Sequence, residues 1–316
     1  MNTKTLNKSK LDTIIQDFGS LIALIFLLIV LSVVSPDFRN INNLLSLLKQ
    51  SSVNGLIAFG MTGVILTGGI DLSVGSVLAL TSVFCAGMIR SGVTPLLAMV
   101  GALAMGMVFG LISGLLVAKG RLQPFIATLI TMTVYRGLTM IFSNGKPISQ
   151  LGNDAFLNGI GKGSFLNIPV PVWILAIVFL LFYFVLNKTV FGRKVYAVGS
   201  NEKAAKLAGI NISITKIWVY VVSGFTAAFA GLILLSRLGS AQPTIGAGYE
   251  LDAIAAVALG GTSMNGGRGK IYGTLIGVLI IAVLNNGLNI LNVSSYYQDV
   301  VKGLVILLAV LSDRKR

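Results

Sequence analysis

Apolar stretches recur along almost the whole of this 316-residue chain, at about residues 18–34, 42–66, 72–89, 95–118, 123–142, 170–187, 215–236, 251–261, 271–291 and 296–311. Charged residues make up only 11% of it, against ~25% in a soluble domain. Backbone in lipid must satisfy its own hydrogen bonds, so such stretches cross as helices. The expectation is an all-α, polytopic transmembrane helical bundle of about ten spans, forming a single domain over residues 1–316. Residues 1–17 are read as a cytoplasmic tail. The stretch that follows it is longer than the ~7–15-residue core of a secretory signal and has no small-residue cleavage pattern behind it.

Charge supplies the orientation. Lys4, Lys8, Lys10, Lys119, Arg121, the basic residues of the 188–216 loop, Arg268, Lys270, Arg314, Lys315 and Arg316 fall on one side of the alternating spans. Arg39, Arg90, Lys146, Lys162 and Arg237 fall on the other. The positive-inside rule then puts both termini in the cytoplasm. The net charge of +14 is explained by this topology, not by nucleic acid, since no basic soluble domain exists to bind it. With no histidine and one cysteine, Cys85, the chain offers no Cys/His zinc site, no disulfide and no imidazole triad. It contains no G-x-x-x-x-G-K-[ST] loop either, so ATP chemistry, if used, belongs to a partner.

Two stretches are short for spans. Lys49, Gln50, Ser51 and Ser52 interrupt residues 42–66, and 251–261 falls well below the ~20 residues needed to cross. Either flanking helix lengthens them, or glycine-rich breaks sit at membrane depth against a cavity. Both end in similar sequence, Gly68-Gly69-Ile70-Asp71-Leu72-Ser73-Val74-Gly75 and Gly260-Gly261-Thr262-Ser263-Met264-Asn265-Gly266-Gly267, and both fall on the same side.

Among residues that stand out, Asp71, Glu250, Asp252 and Asp299 are acids in or near apolar sequence, and Lys302 is placed to neutralise one of them. Asp71 also suits the cap of the helix that follows it. Gly106, Gly110 and Gly114 repeat a small-x-x-x-small face suited to packing within the monomer. Trp173, Tyr196, Trp218 and Tyr220 are assigned to an aromatic belt at the membrane interfaces.

The long basic loop, 188–216, holds a short helix marked at both ends. Asn201 caps it, Glu202 favours the positive dipole end, and Gly209 closes it in the left-handed conformation. Ala204, Leu207 and Ala208 make an apolar stripe along it. The run Lys203-Ala204-Ala205-Lys206-Leu207-Ala208-Gly209 resembles the coupling helix of ATP-binding-cassette importer permeases, with the acid displaced to Glu202.

Residues Ile65 to Ser76, Gly248 to Ala256, Asn285-Asn286-Gly287-Leu288-Asn289 and Gly192-Arg193 resemble hallmark segments of the bacterial sugar-importer permeases of that class. Ser240-Ala241-Gln242-Pro243-Thr244 and Ser294-Ser295-Tyr296-Tyr297-Gln298 resemble its ribose branch. The resemblance implies a non-enzymatic permease that passes a small sugar inward by alternating access. It implies a homodimer, a cytoplasmic ATPase that carries the ATP and Mg, and an external, periplasmic sugar-binding protein. No cofactor is expected on this chain.

Asn201, Glu202, Lys203, Ala204, Ala205 and Gly209 are then the expected contacts to the ATPase. Asp71, Ser73, Thr262, Ser263 and Asn265 are expected in the pathway or gate, and Arg39, Arg90 and Arg237 at the binding-protein surface. An ion-coupled carrier with Asp71 or Asp299 as proton site is the rival reading.

Overall fold

A computed structural model of the chain describes residues 3–313. Arg314, Lys315 and Arg316 lie outside the described residues, and so do the side chains of Lys4, Lys8 and Lys10. The helices are α1 Thr3–Val34, α2 Ile41–Leu66, α3 Val74–Arg90, α4 Pro95–Ala118, α5 Pro124–Ser143, α6 Ala155–Lys162 and α7 Val170–Lys188. They continue with α8 Val190–Ser200, α9 Glu202–Leu207, α10 Ile212–Leu238, α11 Tyr249–Leu259, α12 Ile271–Ile290 and α13 Ser295–Asp313. Among the described residues, extended structure consists of a hairpin of β1 Ser164–Phe165 and β2 Ile168–Pro169 and an isolated antiparallel bridge between Ile148 and Ala241. The bundle is all-α and polytopic. Proline opens α4 and α5, where a missing N–H costs no helical bond, and Asn or Asp side chains cap α2, α6, α9 and α10.

Each of the ten apolar stretches coincides with a helix, yet length and composition alone mark five of these as able to cross a membrane: α4, α5, α7, α10 and α12. Among the described residues these criteria give five spans, with two shorter apolar helices at Gly19–Val34 and Val74–Arg90, and by themselves do not establish ten. The first helix also begins at Thr3, so the tail of residues 1–17 is not a separate unit from the stretch that follows. The 42–66 stretch is not broken. α2 runs 26 residues, ~39 Å, because the Ser51 and Ser52 hydroxyls donate back to the Leu48 carbonyl at 2.9 and 2.7 Å and so need no other partner. α11, by contrast, has 11 residues and rises only ~16 Å.

At the centre stand α2 and α10. From Ser51 to Leu66 every residue of α2 is buried, and α10 is buried along most of Val219–Ser236. Close approach is achieved by removing side chains. A Cβ on Gly106 or Gly110 of α4 would run into the backbone of Gly224 or Tyr220 on α10, and one on Gly224 would run into Gly106. The glycine face read from sequence thus seats α4 on α10. Its opposite face, with Leu96, Leu97, Val100 and Val108, is exposed and apolar, as is that of α7 with Ile177, Leu180 and Phe184. These are lipid-facing surfaces.

Polar pairs fix the register of the inner helices. Thr62 of α2 shares a hydrogen bond of 2.9 Å with Thr274 of α12. Asn43 and Asn286 exchange amide hydrogen bonds between the same helices at 3.0 and 2.8 Å. Lys302 of α13 pairs with Asp252 of α11 at 3.3 Å, which identifies the acid it neutralises.

Candidate functional site

The 188–216 loop folds as α8, α9 and the start of α10. Asn201 Oδ1 accepts the Ala204 N–H at 3.0 Å, which caps α9. At the other end the Gly209 and Ile210 amides donate to Lys206 and Ala205 carbonyls at 3.0 Å each, a Schellman closure with Gly209 at φ +79. A side chain there would be strained, since φ > 0 brings Cβ against the carbonyl. The helix itself covers Glu202–Leu207, six residues, with Asn201 and Ala208 as caps, so it is shorter than the 201–209 expected.

Its two faces differ. Glu202 pairs with Lys216 of α10, tying the helix to the bundle. Ala205 is 4% exposed and packs inward, whereas Leu207 is 90% exposed and Ala204 and Ala208 are exposed as well. In the isolated chain Ala205 is the foot on which the helix rests. The presented stripe is Ala204, Leu207 and Ala208, with Lys203 beside it.

Behind α9 the chain is joined to the core through glycines. A Cβ on Gly199 of α8 would strike the Leu66 carbonyl at the end of α2, and Gly267 donates its N–H to that same carbonyl at 2.9 Å. Tyr196 of α8 donates its hydroxyl to the Gly269 carbonyl at 2.9 Å. Gly266 lies so near Gly68 that the two similar glycine-rich segments meet at the C-terminal end of α2, next to the helix that leads into α9. Tyr196 is thus held in a loop junction, and Tyr220 is 1% exposed in the core, so neither belongs to an aromatic belt. Trp173 and Trp218, 36% and 54% exposed, do sit at the surface as a belt requires.

The expected pathway residues separate into two groups. Asp71 and Ser73 are buried at 1% each. Asp71 Oδ1 accepts the Ser73 N–H at 3.0 Å and the Ser73 hydroxyl at 2.6 Å, and Oδ2 accepts the Ser223 hydroxyl of α10 at 2.8 Å. Asp71 therefore caps the turn that opens α3 and anchors it to α10. Thr262, Ser263 and Asn265 lie instead in the loop against α2 and α8. Thr262 is buried, Ser263 half-buried and Asn265 exposed. Asn265 donates its N–H to the Ser263 hydroxyl at 3.3 Å, and the Ser263 N–H goes to the Arg268 carbonyl at 2.8 Å.

A second junction was not visible in the sequence. The segment after α10 turns back so that Gly246 meets Gly75, in the first turn of α3, backbone against backbone, with Glu250 beside them. Arg136 of α5 holds that segment, donating from Nη1 to the Pro243 and Ile245 carbonyls at 2.9 Å each. Arg136 lies within an apolar run, and that was its only signal. Ser223 gave less, being one small residue among many in α10.

At the end of the bundle away from α9, Arg39 and Arg90 are exposed at the ends of the α1–α2 connection and of α3, and Arg237 is half-buried in the last turn of α10.

Comparison with known proteins finds transport permeases among its relatives. Residues 43–310 match the family model described as the permease component of branched-chain amino acid transport systems. The chain is 56% identical over 305 residues to a ribose import permease protein of Bacillus subtilis strain 168, covering 96% of this chain and 95% of that one. It is 52% identical over 320 residues to one of Escherichia coli strain K12, with 100% of both chains covered.

This chain belongs to the permease family of ATP-binding-cassette importers.

An L-arabinose transport system permease of Escherichia coli strain K12 is 38% identical over 299 residues, 95% of this chain and 90% of that one. No solved structure matches. As a permease subunit the chain is not itself an enzyme, and the family supplies ATPase activity on a separate subunit and an external binding protein. Membership also decides against the ion-coupled carrier, and the carboxylate of Asp71, one of the two acids that reading needs, is occupied by three donors.

Proposed function

We propose that this permease admits ribose or a closely similar small sugar, and that α9 is the element through which the ATPase drives it. The observation that carries the second part is the contrast between the two faces of α9. One is fixed to the bundle by Glu202 and Ala205, and the other holds Leu207 out in the open. An apolar side chain so exposed, on a helix capped at both ends, suits a partner surface.

The sugar assignment rests on identity to permeases that carry ribose in their names. In the working assembly two copies of the chain form a homodimer in the bacterial inner membrane, with both termini cytoplasmic and about ten spans. ATP and Mg sit on the ATPase, and a periplasmic binding protein delivers the sugar to the surface bearing Arg39, Arg90 and Arg237.

Asn201, Glu202, Lys203, Ala204 and Gly209 shape and present the coupling helix, with Ala205 as its seat. Asp71 and Ser73 hold the entry to α3 against α10, while Thr262, Ser263 and Asn265 form the junction that moves with α8. Motion of α9 would reach the core through Gly199, Gly267 and the end of α2.

The test is uptake of labelled ribose, arabinose, galactose and xylose into vesicles holding the permease with its ATPase and binding protein. ATP-dependent uptake of ribose above the others is expected. Uptake of equal size without the ATPase would refute the reading.

A further inference from the structure

Between the α4–α5 turn and the coupling loop lies a cavity of about 620 Å³. Its volume falls within the ~300–1,000 Å³ of small-molecule sites. Arg121 and Gln123 line it from the α4–α5 turn, Lys206 from α9, and Asn211, Ser213 and Lys216 from the start of α10. The Ser213 hydroxyl donates to the Ala118 carbonyl at 3.5 Å, which closes the base between α10 and α4.

The charge inside is unbalanced. Glu202 is the one acid among the lining residues, and it is already paired with Lys216. Arg121 and Lys206 are exposed and have no acidic partner among the described residues. The first turn of α10, a helix of 27 residues, contributes Ile212 and Ser213 to the lining, and adds the positive end of its dipole. A guanidinium and an ammonium around a polar cavity favour a phosphate.

What adjoins the cavity decides the source of that phosphate. Directly after the lining residues Pro124 and Ser213, the side chains of Phe125, Ile126, Ile214 and Trp218 are 53%, 46%, 53% and 54% exposed. Ile214 and Trp218 stand one turn apart on α10, so they share a face. Tryptophan next to aliphatic side chains at a helix end marks the headgroup level of a membrane. The polar cavity thus opens beside an apolar wall on which acyl chains can lie.

We propose that this cavity binds the phosphate headgroup of an anionic phospholipid of the cytoplasmic leaflet. Bound there, the lipid bridges the α4–α5 turn to α9, through Arg121 on one side and Lys206 on the other. The coupling helix is then held in part by the membrane.

The test uses the intact permease–ATPase complex in nanodiscs of phosphatidylcholine and phosphatidylglycerol, with retained lipid counted by native mass spectrometry. At ~1 kcal/mol per basic residue near an anionic surface, R121Q/K206Q should retain phosphatidylglycerol about thirtyfold less selectively than the parent. K146Q/K162Q, with the same charge change in the outer loop, should retain it as the parent does.

Equal retention in R121Q/K206Q and the parent would overturn the proposal. So would loss of ATPase assembly with lipid retention unchanged, because the cavity would then be a seat for the ATPase. A third arm adds inorganic phosphate to lipid-depleted complex in detergent. If it raises the melting temperature of the parent alone and phosphatidylglycerol adds nothing, the site takes a free anion and the lipid assignment fails.

Discussion

Asp71 shows how a single buried acid can be structural in a transporter. Its two oxygens accept three hydrogen bonds from Ser73 and Ser223, so the carboxylate is satisfied by donors from the turn that opens α3 and from α10. Asp71→Ala would leave those donors unmatched at a cost of ~1–3 kcal/mol, whereas Asp71→Asn keeps the acceptor that caps Ser73. Thermal unfolding of the purified permease should show the alanine variant clearly destabilised and the asparagine variant close to the parent, with ribose uptake of Asp71→Asn within about threefold. Uptake abolished in a stably folded Asp71→Asn would give the acid a direct transport role. Glycines obey the same logic of neighbours. Gly110→Leu must displace the backbone of Tyr220 and should cost ~1–3 kcal/mol by overpacking, while Gly137, with nothing within 4 Å of its Cβ position, should accept alanine without loss. A comparison of melting temperatures for the two variants checks this.

For the elements, the apolar runs located every long helix because helix length and lipid length are matched and proline marks several starts, as at Pro95 and Pro124. The caps of α9 were equally legible, since Asn201 and Gly209 act on backbone within a few residues of themselves. What the sequence left hidden depends on distant partners. Nothing local distinguishes Ala205, which faces the bundle, from Ala204, which faces out. The meeting of Gly75 with Gly246 is likewise set by the path of the chain after α10. Both facts change the design of variants. Ala205→Trp should disrupt α9 from beneath and lower its own protection from amide exchange, whereas Ala204→Trp should leave the helix intact and weaken ATPase binding. Hydrogen exchange of residues 202–208 separates the two, and equal protection in both variants would remove Ala205 from the seat of the helix.

Across the whole molecule, the two ends are specialised by charge and by exposure. Arg39 and Arg90 lie exposed at the end of the bundle away from α9, against the trend that gathers basic residues at the other end. If they steer an acidic face of the binding protein, R39E/R90E should slow its association several-fold at 10 mM salt, where the screening length is ~30 Å, and much less at 150 mM, where it is ~8 Å. Association rates equal to the parent at low salt would remove them from that interface. At the α9 end lies the central proposal, that force enters the bundle through the exposed face of α9 and reaches α2 by way of α8. The most direct measurement is the number of sugars imported per ATP hydrolysed by the reconstituted complex carrying Leu207→Asp, with ATPase binding and permease folding monitored in the same sample. The account predicts a folded permease whose ATP-dependent uptake falls at least about tenfold, the loss expected when an apolar anchor worth ~1.4 kcal/mol or more is replaced by a charge. A Leu207→Asp complex that binds its ATPase and imports sugar at the parent's ratio would contradict it.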